Sequence, residues 1–320
     1  MTLDELGWGP HFEATFAPFR GLGLLPARVA TQHRGGFGLL GADGPRAGVP
    51  AGTLDALPAV GDWVVAAPVP DEDKAVIEAV LPRRTAFTRS DPWSGAEEVV
   101  AANVDTVLVV TVPGRDFSPR RLERYLAAAH ESGATPVVLV NKADLDPGSP
   151  AVEAARAAAP GVPVHFLSAK TGEGLAQLDP YLARGQTVAL LGSSGVGKST
   201  LANRLAGADL ATGDVRADER GRHTTSRRQL VVLPRGGLLL DTPGLRELQL
   251  SGADLGEAFP EIAELASQCR FRDCSHSHEP GCAVLAAVEN GVLPRERHES
   301  YLKLAAELAE LGERRRRAAW

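Results

Sequence analysis

Cysteine is scarce in this chain, and its placement is informative. The 320 residues include three cysteines, and all of them fall between positions 269 and 282. An odd and clustered set argues against a disulfide-stabilised secreted domain and favours a metal site in a reducing compartment. We therefore expect a cytoplasmic protein with a metal-binding segment near its C-terminal end.

Long apolar runs and an excess of positive charge are also missing. No apolar run approaches the roughly 20 residues of a membrane span, so we expect no membrane partner. The first residues, MTLDELGWGPHFEATF, are acidic and lack the uninterrupted apolar core of a signal peptide. The formal net charge is −6, so any contact with nucleic acid must use local basic patches.

The rest of the composition is that of an ordinary globular protein. Hydrophobic residues make up 44% of the chain and charged residues 23%, which is enough for a sizeable core. A length of 320 residues exceeds that of one typical domain, so we expect two or three domains. No internal repeat is visible.

The texture of the sequence changes along the chain, which predicts three domains. Residues from about 26 to 82 hold short apolar runs broken by Gly, Pro and Asp, the pattern of a small antiparallel barrel or sandwich. The polar, turn-rich stretch TRSDPWSGAEE at 88–98 is expected to be a linker. The predicted domains cover residues 1–97, 98–248 and 249–320.

The middle region alternates buried strands with helices. The β-branched run VDTVLVVTVP predicts a buried parallel strand, and SPRRLERYLAAAHESG predicts a helix with Ser118 as its N-cap and Gly133 at its end. This alternation predicts an α/β domain with a doubly wound, mostly parallel sheet. After Glu247 the pattern is helical, apart from the cysteine segment, and it ends in the basic tail ERRRRAAW.

The segment GSSGVGKST at 192–200 matches the phosphate-loop pattern G-x-x-x-x-G-K-[ST], between an apolar strand and a helix. Its glycines stand where a Cβ would obstruct backbone N–H groups that point at a phosphate. Lys198 supplies charge to the β- and γ-phosphates, and the Ser199 hydroxyl ligates Mg²⁺. The predicted nucleotide contacts here are Gly192, Ser193, Ser194, Gly195, Val196, Gly197, Lys198, Ser199 and Thr200.

Two further loops predict that the nucleotide base is guanine. In NKAD at 141–144, the Asp144 carboxylate can accept both N1–H and N2–H of guanine, a donor pair that adenine lacks. Asn141 can bond the N7 edge of the base, and the stem of Lys142 can cover a ring face. SAK at 168–170 follows another strand, where the N–H of Ala169 would approach the base oxygen. The predicted base contacts are Asn141, Lys142, Asp144, Ser168, Ala169 and Lys170.

Two segments are typical of the switches that sense a γ-phosphate. LLLDTPG at 238–244 ends a buried strand, so Asp241 would hold the Mg²⁺ shell through water and the Gly244 N–H would meet the γ-phosphate. GRHTTS at 221–226 supplies a threonine that can bond Mg²⁺ and the γ-phosphate. We favour Thr225, with Thr224 as the alternative.

Hydrolysis also needs a group that orients the attacking water. Ras-type enzymes carry glutamine directly after the DxxG glycine, and this chain has Leu245 there, which cannot do that work. His223 is the nearest chemically able side chain in the other switch segment. Its alternative role is that of a solvated loop histidine. The predicted catalytic residues are His223, Lys198 and Thr225.

The order of these motifs is unusual. The base loops at 141 and 168 precede the phosphate loop at 192, whereas an ordinary GTPase has the reverse order. A doubly wound sheet can be opened at one loop and rejoined at nearby termini without changing the site. The motifs therefore predict a circularly permuted GTPase whose switch region leads into the C-terminal domain, so that nucleotide state can move that domain.

This order, together with GSSGVGKST, GRHTT and DTPGLRE, resembles the RsgA (YjeQ) family of bacterial GTPases that depend on the small ribosomal subunit. The stretches VGDWV, PRRTAFTR and VVAANVDTVLVV are similar to the barrel of that family and its junction with the GTPase domain. The resemblance covers about residues 25 to 300. One departure is Ser226, where many relatives carry a third threonine after GRHTT.

The resemblance implies an N-terminal OB-fold barrel, a permuted P-loop GTPase domain and a C-terminal helical zinc-binding domain. It also implies a role late in maturation of the 30S subunit, contact with 16S rRNA, and GTP hydrolysis stimulated by the subunit. The histidine proposed as catalytic in the family falls on His223. We further expect a monomer that binds GTP and GDP with Mg²⁺.

The cysteine segment CRFRDCSHSHEPGC offers a complete zinc site. Three thiolates and one imidazole fill the tetrahedron of a zinc ion and leave no open position, which predicts a structural rather than a catalytic site. Both His276 and His278 are chemically suitable as the fourth ligand. The resemblance implies His276, giving the set Cys269, Cys274, His276 and Cys282.

Surfaces that contact RNA are less well defined by the sequence. OB-folds commonly bind oligonucleotides, and arginine can pair with phosphate or stack on bases. Solvated surface charge is the alternative for each arginine, and solubility or fraying for the tail. The candidates are Arg28, His33, Arg34, Arg83, Arg84 and Arg89 near the barrel, Arg270 and Arg272 in the cysteine segment, and Arg314 to Arg317 in the tail.

These motifs predict an assembly GTPase of the small ribosomal subunit, with slow intrinsic turnover and the subunit as activator. Two alternatives belong to other classes. One is an RNA-binding module whose GTP site times its release. The other is a GTPase of another translation or stress process, against which the flanking barrel and zinc segment argue by analogy.

Overall fold

The computed structural model describes residues 1–33, 36–90, 97–146, 150–207, 228–241 and 255–318. The chain begins with an extension of short helical pieces: a 3₁₀ turn at Asp4–Leu6, helix α1 at Pro10–Phe16 and a second 3₁₀ turn at Ala17–Phe19. The rings of Trp8 and Trp63 meet edge to face, with centroids 4.7 Å apart. Such aromatic contacts bury a large apolar area, so they fasten the extension to the barrel that follows.

Five strands form a closed barrel, as the sequence predicts. They pair in the order β1, β2, β3, β5, β4, and β4 pairs back with β1. All pairs are antiparallel except the parallel pair β3–β5. This closure leaves no open edge within the barrel. The strands are β1 at Leu25–His33, β2 at Gly36–Gly41, β3 at Gly44–Pro50, β4 at Trp63–Pro68 and β5 at Lys74–Val80.

A β-hairpin leads from the barrel into the central sheet. Strand β6 at Ala86–Ser90 pairs antiparallel with β7 at Glu97–Ala102. The stretch at 88–98, which the sequence predicts to be a linker, thus begins and ends in paired strands, and residues 91–96 lie outside the described part. Polar, turn-rich sequence is found both in linkers and next to paired strands, so the sequence alone does not separate the two.

Six strands form the central sheet in the order β10, β9, β8, β11, β13, β12. All neighbouring pairs are parallel except β12–β13. This sheet continues into the barrel, because β12 also pairs with β1. The strands are β8 at Thr106–Thr111, β9 at Thr135–Val140, β10 at Val164–Phe166, β11 at Thr187–Leu191, β12 at Arg228–Val232 and β13 at Leu238–Asp241.

Helices cover the parallel strands, so the predicted doubly wound architecture is confirmed. Ser118 caps α2 as predicted, since its hydroxyl accepts a hydrogen bond of 3.4 Å from the backbone N–H of Arg121. The segment after Gly174 forms a 3₁₀ helix with Pro180 inside it, which removes a backbone donor. The elements are α2 at Pro119–Glu131, α3 at Ala151–Ala158, the 3₁₀ helix at Leu175–Tyr181 and α4 at Lys198–Ala206.

The C-terminal part is helical on both sides of the cysteine segment, as the sequence predicts. Phe259, Ile262 and Val284 are buried and belong to the same apolar core as the residues of α2. Among the described residues, no helix has the length and apolarity required to cross a bilayer. The helices are α5 at Leu255–Ala258, α6 at Pro260–Ala266, α7 at Ala283–Glu289 and α8 at Arg295–Ala318.

Candidate functional site

The phosphate loop lies between β11 and α4, and its glycines are sterically required. Gly192, Gly195 and Gly197 have φ angles of 145°, 83° and 96°, which side chains rarely adopt. A Cβ at Gly192 would lie 2.3 Å from the carbonyl oxygen of Val110, and one at Gly197 would lie 2.4 Å from Nδ2 of Asn141. A side chain at Gly192 would therefore collide with the backbone of strand β8, and one at Gly197 would displace the side chain of Asn141.

Lys198 occupies the start of α4, where the loop ends. Its side chain is buried, and its ammonium group donates hydrogen bonds to the carbonyl oxygens of Gly192 and Ser193. Ser199 and Thr200 follow in the first turn and are exposed. A buried cation and the start of a helix both favour an anion, so this geometry is compatible with the predicted phosphate contacts, which stay a prediction.

Asn141, at the end of β9, joins the base loops to the phosphate loop. Its Nδ2 donates 2.8 Å to the carbonyl oxygen of Val196, and its Oδ1 accepts 2.9 Å from the N–H of Ala169. These two contacts fix the orientation of the amide. In this structure the Ala169 N–H is used by Asn141, so its predicted contact with a base oxygen stays a prediction.

The Asp144 carboxylate is held by the second base loop. The hydroxyl of Ser168, which is fully buried, donates a 2.6 Å hydrogen bond to Oδ1 of Asp144. The same hydroxyl accepts from the N–H of Thr171 at 3.2 Å, which orients its proton towards the carboxylate. Lys142, two residues before Asp144 in the same loop, adopts a left-handed backbone conformation with φ of 66°. Such a strained conformation in a non-glycine residue is typical of a binding site.

Arg204 on α4 is a residue of the site that the sequence interpretation missed. Its guanidinium donates to the carbonyl oxygen of Lys170 at 2.6 Å and to that of Ala169 at 3.4 Å. Helix α4, which begins at the phosphate loop, therefore also bonds to the backbone of the second base loop. No sequence signal distinguishes this arginine from others on exposed helix faces, because both acceptors are backbone atoms.

Helix α2 also reaches the phosphate loop. Nη1 of Arg121 donates to the hydroxyl of Ser193 at 3.0 Å, and the hydroxyl of Tyr125 lies 3.3 Å from the same oxygen. Arg121 and Lys198 therefore both bond to Ser193, one at its hydroxyl and the other at its carbonyl oxygen. The sequence interpretation named neither α2 residue, since neither belongs to a nucleotide-binding motif.

The switch segments fall mostly outside the described residues. Asp241 is the last residue of β13, whose neighbour in the sheet is β11, the strand that leads into the phosphate loop. Because parallel strands have their carboxyl ends at the same end of the sheet, Asp241 and the phosphate loop lie at that end, which the predicted role of Asp241 at the Mg²⁺ shell requires. The other residues considered in these segments lie outside the described residues; they are His223, Thr224, Thr225, Ser226, Gly244 and Leu245.

The ligand atoms of Cys269, Cys274, His276 and Cys282 all lie within 4.8 Å of one another. Nδ1 of His276 is 3.6 Å from Sγ of Cys269 and from Sγ of Cys282, and the two sulfurs are 3.9 Å apart. Ligands on a tetrahedral zinc ion would be separated by roughly 3.5 to 3.8 Å. The four residues therefore fit the ion in number, type and spacing, and together they could hold a metal.

The surroundings of the cluster favour His276 over His278 as a ligand. Burial lowers the pKa of His276, which keeps its imidazole neutral as metal binding requires. His278 is exposed, and its Nδ1 lies 2.7 Å from the Ser277 hydroxyl. Nε2 of His298, on α8, lies 2.8 Å from the carbonyl oxygen of His276 and connects the cluster to that helix.

Arg28, a candidate RNA contact in the sequence, is a buried structural residue, so that interpretation is wrong. Its side chain is 1% exposed and donates to the carbonyl oxygens of Leu6, Gly61 and Asn103. Burial lowers its pKa to about 10. The sequence could not reveal this role, because the three acceptors are backbone atoms from distant segments.

Among the other basic candidates for RNA contact, some are paired with carboxylates and some are exposed. Arg83 makes a bidentate pair with the buried Asp62 at 2.8 and 2.7 Å, while Arg84 and Arg89 pair with Asp105 and Glu98. His33 is exposed, as are Arg270 and Arg272 of the cysteine segment. Arg34 lies outside the described residues, and so do the side chains of Arg314 to Arg317.

The chain is similar to known proteins along almost its whole length. The family model for the RsgA GTPase matches residues 80–251. A relative from Opitutus terrae named small ribosomal subunit biogenesis GTPase RsgA is 50% identical over 331 residues, covering 97% of this chain and 90% of the relative.

Solved structures give the same result for the fold. The crystal structure of YjeQ from Thermotoga maritima is 30% identical with a TM-score of 0.68, covering 89% of this chain and 99% of that one. The crystal structure of YloQ, a circularly permuted GTPase, matches with a TM-score of 0.66 at 24% identity, covering 90% of this chain and 96% of that one.

Proposed function

The chain belongs to the RsgA GTPase family, and from this membership we propose that it hydrolyses GTP to GDP and phosphate during biogenesis of the small ribosomal subunit. The observation that carries the proposal is the position of Asn141, whose amide bonds both the phosphate loop at Val196 and the base loop at Ala169. Loops that recognise a base and loops that bind phosphate meet there, although they stand in permuted order in the chain.

Guanine recognition is assigned to the two base loops. The Asp144 carboxylate, held at Oδ1 by Ser168, accepts the N1–H and N2–H of the base. Asn141 keeps one Nδ2 proton for the N7 edge, and the stem of Lys142 covers a ring face. The N–H groups of Ala169 and Lys170 are the donors proposed for the base oxygen.

Phosphate chemistry is assigned to the loop at 192–200 and the switch segments. Lys198 and the loop N–H groups stabilise the charge of the transferred phosphoryl group. Bound Mg²⁺ would neutralise phosphate charge, held by Ser199 and Thr225 directly and by Asp241 through water. The N–H of Gly244 is proposed to meet the γ-phosphate, and His223 to orient the attacking water.

The partner is proposed from the names of the relatives, which are small ribosomal subunit biogenesis GTPases. We expect the 30S subunit, through its 16S rRNA, to order the switch that carries His223, so that turnover is slow without it. The Cys269–Cys282 cluster binds one structural zinc ion in this proposal. The protein acts as a cytoplasmic monomer with domains at 1–97, 98–248 and 249–320.

Co-sedimentation tests the partner directly. The full-length protein is centrifuged with purified 30S, 50S and 70S particles, with either GDP or a non-hydrolysable GTP analogue. We expect it to pellet with free 30S and to do so preferentially with the analogue. Equal pelleting with all particles, or none with 30S, would reject the small subunit as the partner while leaving GTP binding intact.

A further inference from the structure

The segment between Cys269 and Cys274 presents an exposed aromatic ring. Phe271 is 41% exposed, and among the described residues no other Phe, Tyr or Trp side chain is as exposed. A single exposed apolar side chain is common on protein surfaces and carries little by itself. Two features of its surroundings point to a binding role for Phe271: the arginines beside it, and the contacts that fix both ends of its segment.

Arg270 lies against this ring and is itself held in place. Its guanidinium carbon is 5.5 Å from the centroid of Phe271, within the range of a cation–π contact. Its backbone N–H donates 3.2 Å to the carbonyl oxygen of Gly281. A Cβ at Gly281 would lie 3.1 Å from the Cβ of Arg270, so the two segments are in close contact. With Cys269 and Cys274 in one cluster, both ends of the segment are fixed.

The charges of this segment differ from those of the other basic candidates. Arg83, Arg84 and Arg89 are each paired with a carboxylate. Arg270 and Arg272 are exposed, and neither forms an ion pair with another described residue. Asp273 is exposed beside them and offsets one of the two positive charges. Two available cations flank an exposed ring in a chain whose net charge is −6.

We propose that Phe271, Arg270 and Arg272 form a stacking site for an unpaired RNA base. The base stacks on the open face of the Phe271 ring, and the two arginines bind the phosphates on either side. RNA bases that are splayed from loops are commonly bound in this way, by aromatic rings and arginine planes. An apolar protein partner would need apolar neighbours around Phe271, whereas the residues next to it in the chain, Arg270, Arg272 and Asp273, are all charged and exposed.

This inference rests on the proposed function only in taking the RNA to be ribosomal. The site itself is tested with the full-length, zinc-loaded protein and a fluorescein-labelled, 12-nucleotide polyadenylate strand, by fluorescence anisotropy. Phe271→Leu keeps an apolar side chain and removes the ring, so we expect binding to weaken about 5- to 100-fold. Phe271→Tyr retains the ring and should bind like the parent protein.

Salt dependence separates the ring from the charges. Phe271→Leu should leave the slope of log Kd against log salt unchanged, whereas Arg270→Gln should lower it by about 1. The matched control is Val292→Ala, since Val292 is also apolar, is 74% exposed and lies in the same C-terminal part. Its binding should equal that of the parent protein. Zinc content and thermal unfolding confirm that each variant is folded.

The outcomes distinguish this site from the proposed function. Equal binding of polyadenylate by the parent protein and Phe271→Leu would overturn the stacking site, even if the protein still pellets with 30S. Equal binding of an abasic strand of the same length would overturn it too. A loss with Phe271→Leu in 30S pelleting but not in RNA binding would assign the ring to a ribosomal protein instead. A loss in RNA binding without any 30S association would retain the site and reject only the ribosomal partner.

Discussion

The guanidinium of Arg297, on α8, donates a 2.8 Å hydrogen bond to the carboxylate of Glu123, on α2. Both side chains are buried, and the Arg297 guanidinium also lies 4.1 Å from the centroid of Phe259. The same α2 helix contacts Ser193 of the phosphate loop through Arg121. One helix of the GTPase sheet thus contacts both the phosphate loop and the C-terminal helices.

Removing this arginine should destabilise the whole protein. In Arg297→Ala the buried carboxylate of Glu123 loses its partner, and we expect a loss of about 3 to 5 kcal/mol in the free energy of unfolding. Urea denaturation followed by circular dichroism measures the change. The control is the double variant Glu123→Gln with Arg297→Met, which leaves no buried charge unpaired at position 123 and should recover much of the loss. Glu261, the second carboxylate that pairs with Arg297, is partly exposed and can be solvated. If Arg297→Ala unfolds at the same urea concentration as the parent protein, the pair does not hold the domains together.

Arg204 should matter for nucleotide affinity, although it contacts only backbone atoms of the predicted base-binding residues. Arg204→Ala removes a charged donor from the carbonyl oxygens of Lys170 and Ala169, which should weaken GDP binding about tenfold or more. Fluorescent GDP titration measures this. Arg235→Ala removes an exposed ion pair with Asp179 and is the matched control, for which no change is expected. An unchanged affinity in Arg204→Ala would show that the base loop needs no support from α4.

The base preference should follow the charge at position 144. Asp144→Asn replaces an acceptor with an amide donor, which opposes the N2–H of guanine and suits the O2 oxygen of xanthine. We expect GDP binding to weaken by more than tenfold and XDP binding to strengthen. Competition between the two nucleotides measures the ratio. A variant that still prefers GDP as strongly as the parent protein would mean that Asp144 does not contact the base.

The cysteine cluster should bind zinc as a structural ion. We expect about one zinc ion per chain, and Cys274→Ser should lose most of it because one of four ligands is gone. Metal analysis and thermal unfolding measure the effect, and a lower melting temperature should accompany the loss of zinc. Ser267→Ala, just before the cluster, is the control. A Cys274→Ser variant with full zinc content would exclude this cysteine from the site.

Much of the site could be predicted because its residues lie in short sequence motifs, in which the chemistry requires particular residue types at fixed spacing. Gly192 and Gly197 are required wherever a backbone must approach this closely, and both have positive φ angles as expected. The buried strands β8 and β9 were predictable from continuous β-branched runs, since both faces of a parallel sheet are covered. The cysteine spacing likewise predicted the cluster that the structure shows.

The arginines could not be assigned in the same way. Arg28, Arg204 and Arg297 bind backbone carbonyls or carboxylates from distant segments, and the Arg297–Glu123 contact spans 174 positions. The residues next to an arginine in the sequence do not indicate such distant partners, because buried and solvated arginines have similar sequence neighbours. The prediction of an RNA contact for Arg28 was wrong for this reason.

The central claim is that this GTPase is activated by the small ribosomal subunit, and its turnover tests that claim most directly. GTP hydrolysis is measured at fixed enzyme concentration with purified 30S, 50S or 70S particles, and with none. The account predicts strong stimulation by 30S alone, and a loss of roughly 100-fold in the stimulated rate for His223→Ala. Equal rates under all four conditions, with GTP still bound, would contradict it.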